Sequence, residues 1–146
     1  MSLLFDPAEI ACSLDDFSTL CTAIQTVGLD DDLNEDGQWT VFAPTDAAFS
    51  KLDDDLFNSI LSDHGLLKDV LLFHAVANDV VYASDLECKN TIQMANGKNS
   101  RTVCRGASVY QKGAGNSRDD MPEIIESDIA ACNGILHVVD EVMLPR

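Results

Sequence analysis

Thr40-Val41-Phe42-Ala43-Pro44-Thr45-Asp46-Ala47-Ala48-Phe49-Ser50-Lys51-Leu52 decides the fold, because it reads as a buried strand running straight into a capped helix. Trp39, just before it, and Val41 and Phe42 within it are strand formers, and Pro44 stops the strand because it has no N–H to give to a ladder. Thr45 stands where an N-cap belongs, its hydroxyl free to accept a backbone N–H one turn on. Asp46 puts negative charge in the first turn, where the helix dipole favours it. Ala47, Phe49 and Leu52 are expected to turn inward from that helix. The stretch holds no nucleophile and no metal cluster, so it reads as architecture.

The chain around it has 146 residues, one domain's worth and enough to bury a substantial core. Residues 1–5 read as an N-terminal extension or cloning remnant, and residues 6–146 as a single compact domain. No apolar run approaches the ~20 residues that cross a bilayer. The longest, Val70 to Ala77, is interrupted by His74, so no direct membrane insertion is expected. The net charge of −16, from 25 acidic against 9 basic residues, argues against nucleic acid and against anionic lipid surfaces. A cationic partner or loosely held divalent cations fit better, although acidity also serves simply to keep a protein soluble. The 5 cysteines include no C-x-x-C, which disfavours zinc ribbons and thioredoxin-like chemistry. Two disulfides and one free thiol in an oxidising compartment is the expected arrangement.

Asp6-Pro7 opens a short helix to about Cys12. A second follows Asp15 or Asp16, with Phe17, Leu20, Cys21, Ile24 and Val27 on one face. Gly28-Leu29 closes it as a left-handed cap with its hydrophobic contact. Asp30 to Gly37 is an acidic loop. Leu56–Leu61 and Leu66–Val76 read as two further helices. Beyond Val76 the period changes, and Val80–Tyr82, Thr91–Met94, Arg101–Cys104, Ser108–Gln111, Glu123–Glu126 and Ile135–Met143 become strand candidates. Asn96-Gly97 signals a hairpin, and Gly113, Gly115 and Asn116 a loop. Helices followed by strands indicate an α+β fold rather than alternating βαβ units.

The hairpin bears on the cysteines. A two-residue turn at Asn96-Gly97 sets Cys88 opposite Arg105, one position from Cys104, and a bulge or longer loop brings the two sulfurs together. Cys88–Cys104 is therefore the expected disulfide; Cys12, Cys21 and Cys132 cannot be paired from sequence.

Taken together these motifs resemble the fasciclin-like adhesion domain family, over about Ile10 to Pro145. Phe17-Ser18-Thr19-Leu20 with Gly28-Leu29 resembles its first long helix. The run Thr40, Val41, Phe42, Ala43, Pro44, Thr45, Asp46, Ala47, Ala48, Phe49 resembles its first signature block. Leu71 to Val76, containing Phe73-His74, resembles the central helix, which usually carries Tyr-His. Asn133, Gly134, Ile135, Leu136, His137, Val138, Val139 and Asp140, with Val142 to Pro145, resemble the closing block. The resemblance implies helices packed around a β-wedge of two small sheets. It also implies extracellular or cell-surface adhesion with no catalytic chemistry. In animal matrix members of the family, the Tyr-His segment and an Asp-Ile pair are associated with integrin binding. By position these are Phe73-His74, which lacks the tyrosine hydroxyl, and Asp128-Ile129, with Ser127 in place of the usual proline.

His74 and His137 lie in apolar surroundings, where a hydrogen-bonded structural histidine outweighs a ligand or base. His64 reads as an exposed loop residue. No Gly-x-Ser-x-Gly and no nucleophile beside a His and an acid stand out, so no enzyme and no cofactor are expected. Asp53-Asp54-Asp55 and Asp119-Asp120 read as surface turns. Asp32, Asn34 and Asp36, followed by Gly37, fit the first half of an EF-hand loop, but the twelfth position is Ala43 where a bidentate Glu belongs. The function expected is a non-catalytic extracellular, secreted or surface-anchored module, monomeric in isolation, that mediates adhesion through protein or glycan contacts. The alternative is a small-molecule or Ca²⁺-binding domain using the acidic loop 30–37.

Overall fold

The computed structural model describes residues 12, 15–29, 38–52, 54–77, 79–113, 115–116, 121–131 and 134–144. The helix expected from Asp6, the acidic loop with Asp32, Asn34 and Asp36, and Asp53, Asp119, Asp120, Cys132 and Asn133 lie outside the described residues. A 3-10 turn at Asp15–Phe17 leads into helix α1 (Ser18–Val27), and strand β1 (Trp39–Pro44) runs into α2 (Asp46–Ser50). Helices α3 (Asp54–Ser62) and α4 (His64–Leu72) precede strand β2 (Ala75–Ala77). Then come β3 (Thr91–Gln93), β4 (Asn99–Arg105), β5 (Ser108–Lys112), β6 (Ile124–Ala131) and β7 (Gly134–Val139). One sheet has the order β2-β1-β7-β6, the other β3-β4-β5.

Strand β1 lies inside the larger sheet, antiparallel to β2 and parallel to β7. Side chains alternate across a strand, so β1 faces two cores at once. Val41 and Ala43 join a cluster with Leu20, Ile24, Phe49, Leu67 and Val70 from the helices. Phe42 points the other way, into a second cluster with Phe73, Val76, Met94, Val139 and Met143. Strand β7 repeats the division, with Leu136 and Val138 on the helical side and Val139 on the other. Burial on both faces is why Val41-Phe42-Ala43 is uninterruptedly apolar. The parallel pairing brings the chains so close that a Cβ on Gly134 would collide with the Trp39 carbonyl, which accounts for a glycine there.

The helix starts follow elementary capping. Thr45 Oγ1 accepts the Ala48 N–H at 3.1 Å, as the sequence indicates. Helix α1 has no side-chain cap of its own, since Phe17 occupies the N-cap position. Asp46 serves instead: its carboxylate accepts the Thr19 N–H at 2.8 Å and the Ser18 hydroxyl at 2.6 Å. One acidic residue thereby stands at the positive ends of two helices. Gly28 closes α1 in the left-handed conformation at φ 77.

Several sequence expectations need correction. In α2 it is Ala48 that is buried and Ala47 that is exposed. Asp54 and Asp55 form the first turn of α3, where the dipole holds them, rather than a surface turn. His64 opens helix α4, exposed there, with Asp63 as its N-cap. The helix expected to reach Val76 ends at Leu72, because Ala75–Ala77 pairs with β1 and an unbroken apolar run carries no period to mark the change. Val80–Tyr82 is not a strand: the Val81 N–H is taken by Thr40 Oγ1 at 2.8 Å. The last strand stops at Val139, whereas β6 runs on from Ile124 to Ala131 with two irregularities in its register.

The hairpin connection is longer than two residues, since Gln93 pairs with Asn99. That register, continued by Thr102 N–H to Asn90 O at 2.9 Å, brings Cys88 to Cys104, and the two are bonded at 1.99 Å. A second disulfide joins Cys12 to Cys21 at 2.05 Å.

Candidate functional site

The two histidines of the signature segments are interior clasps. His74 is 1% exposed, in the turn after α4. Its Nδ1 lies 2.7 Å from the Val70 carbonyl, which can only accept, so Nδ1 carries the proton. Nε2 is then free to accept the Met143 N–H at 2.8 Å. His137 has the opposite tautomer: Nε2–H donates to Val81 O at 2.6 Å, and Nδ1 accepts the Asp128 N–H at 3.2 Å. Burial pushes the His74 pKa down to about 4, against a smaller upward pull from the Val70 carbonyl. Burial lowers His137 too, opposed by its bond to Val81 and by the Asp128 carboxylate. Both rings are thus neutral at physiological pH with both nitrogens occupied. Each ties two backbone segments together, and neither holds a lone pair or a proton free for chemistry.

Phe73 is fully buried beside His74, so that pair presents no side chain to a partner, which corrects its reading as a contact surface. The other pair is placed differently. Asp128 is exposed on β6, the edge strand of the larger sheet, with its backbone at φ 59. Left-handed backbone is costly for a residue with a Cβ, though least so for Asp and Asn. The bond from its N–H to buried His137 holds this conformation. Ile125, 54% exposed, lies on the same strand, while Ile129 packs partly against the helical core. The edge therefore carries an acid and an exposed aliphatic side chain next to a clasped irregularity.

Of the signature residues, Thr40, Val41, Phe42, Ala43, Phe49 and Val138 are core positions. Asp140 Oδ1 accepts the Glu123 N–H at 2.8 Å. Among the described residues no group of three or more His, Cys, Asp or Glu is placed to hold a metal ion. Chain order hides another gathering: Lys89, Arg101, Arg105 and Lys112 line a cavity of about 580 Å³ on the smaller sheet. Its only trace in sequence is the alternation Arg101, Val103, Arg105.

A family model described as the Fasciclin domain matches residues 15–145. The chain is 35% identical to an uncharacterized protein of Synechocystis over 93% of this chain and 95% of that one. It is 32% identical to immunogenic protein MPB70 of Mycobacterium bovis, over 96% of this chain and 69% of that one. It is also 30% identical to the transforming growth factor-beta-induced protein ig-h3 of Sus scrofa, covering 90% of this chain but 18% of that protein. In structure it resembles the FAS1 domain pair of the insect cell adhesion molecule Fasciclin I, with a TM-score of 0.73 at 16% identity. That likeness covers 96% of this chain and 51% of the other.

Proposed function

The chain belongs to the Fasciclin domain family, and from that premise we propose that it is a non-catalytic, extracellular interaction module that mediates adhesion through a protein or glycan partner. The observation that carries the reading is the β6 edge: Asp128, exposed and at φ 59, anchored through its N–H on buried His137. Backbone strain persists only where surrounding structure enforces it, and it collects at functional surfaces. An edge strand offers unpaired backbone groups to an incoming chain, and the exposed Asp128 and Ile125 of the same strand add one charged and one apolar anchor. Relatives and structural neighbours support the setting, since one neighbour is a cell adhesion molecule. Two disulfides suit an oxidising, extracellular environment.

Affinity capture from native surface material tests this. The parent protein is expected to retain a partner that Asp128→Lys, shown to be folded by circular dichroism, does not. Equal capture by both would refute the edge as the contact surface. Non-reducing mass spectrometry checks the compartment, because free thiols at all five cysteines in the native source would rule out extracellular residence.

A further inference from the structure

We propose that the cavity on the smaller sheet is a binding site for a small oxyanion of the sulfate or phosphate-ester class, clasped by Lys89, Arg101 and Lys112 with Arg105 beside them. The inference is independent of the β6 surface. Of the 9 basic residues in a chain with 25 acidic ones, 4 line this single cavity, and among the described residues no acidic one lines it. So local a reversal of sign is the opposite of what solubility alone requires.

The register sharpens the point. Arg101 on β4 pairs directly with Lys112 on β5, so two cations share one face at cross-strand distance. Like charges placed opposite each other destabilise a sheet. Among the described residues no carboxylate relieves them: the ion pairs involve Lys51, Lys98 and His137, not Lys89, Arg101 or Lys112. An anion between the two strands would turn that repulsion into attraction.

The site is also held in place. Lys89 follows Cys88, which is bonded to Cys104 of β4, and its own N–H donates to Thr102 O at 2.7 Å. Its backbone is left-handed at φ 73, an unusual conformation for lysine. Arg105 lies with its guanidinium 5.9 Å from the centre of the Tyr110 ring. A guanidinium presents its donors in a planar fork suited to oxyanions, and the ammonium groups add point charge. The cavity, about 580 Å³, is of a size that takes a small ligand. The net charge of −16 would repel a long polyanion as it approached, which limits the ligand to a short one.

Calorimetric and NMR titrations of the full chain test the site, using inorganic phosphate, a fully sulfated disaccharide and its desulfated parent. The expected result is saturable binding of at least one of the two anions, with amide shifts at Lys89, Arg101–Arg105 and Lys112. The affinity should fall about tenfold in Arg101→Gln and in Lys112→Gln, and it should weaken with added salt. Tighter binding of the sulfated disaccharide would identify a glycan as the source, and phosphate alone a free oxyanion. At low ionic strength the unliganded variants should melt no lower than the parent, because each removes a repulsion. Absence of saturable binding by either anion, equal binding by the variants, or equal binding of the desulfated disaccharide would overturn the proposal.

Discussion

His74 and His137 show most plainly how physical chemistry assigns a residue its role. Sequence places both in apolar segments and so anticipates bonded, structural rings. It gives no hint that the two have opposite tautomers, because, although Val70 one turn back takes the His74 proton, each ring also bonds a partner distant in sequence. For His74 that partner is Met143, and for His137 it is Val81. A pH dependence follows. The folded pKa of His74, about 4, lies below the ~6.5 of an unfolded histidine, so between those values the unfolded chain binds the additional proton. Stability is therefore full above pH ~6.5 and falls as the pH drops towards 4. Denaturant titrations at pH 7 and pH 5 should differ by about 2 kcal/mol from His74 alone, with His137 acting in the same direction. The carboxylate of Asp46 is held below its ordinary value of 3.8 by its bonds to Ser18 and Thr19, so its contribution is lost only at lower pH. Its service to α1 was not legible in sequence, because the Asp46 that caps the helix and the Ser18 it bonds are 28 positions apart.

At the scale of elements, β1 and its helix were legible because local signals agree: strand formers, a proline and a threonine cap. The double-sided burial was implicit in the unbroken apolar run. Phe42 is 0% exposed and lies against both the second core and His137, ring centres 5.2 Å apart. Phe42→Ala should cost about 3–5 kcal/mol in equilibrium unfolding, and an unchanged midpoint would show that the strand does not divide the cores as described. What sequence could not show was where α4 gives way to β2. In Leu71-Leu72-Phe73-His74-Ala75-Val76 the pairing with β1 decides, and that is a tertiary interaction. The Cys88–Cys104 disulfide was reachable from hairpin arithmetic once a longer loop was allowed. Closing a loop of 16 residues, it should contribute about 3 kcal/mol, so Cys88→Ser with Cys104→Ser should lower the denaturation midpoint accordingly. The irregularity at Asp128 left no mark in the sequence beyond an Asp able to tolerate positive φ.

For the whole molecule, the helices-then-strands order yielded the α+β class, and collinear signature segments yielded the family. The gathering of four cations was not legible, because it depends on strand register and on a disulfide that brings Lys89 to β4. The two buried histidines join features at every scale: one ties the end of α4 to the C-terminal segment, the other ties the β6 edge to the chain after β2. They thereby make the signature segments a frame. The direct measurement of that claim is a long-range ¹H–¹⁵N NMR correlation of the histidine rings at neutral pH. Two neutral rings of opposite tautomer are expected, His74 protonated on Nδ1 and His137 on Nε2. A ring that has already gained its second proton at that pH, or the same tautomer at both positions, would contradict it.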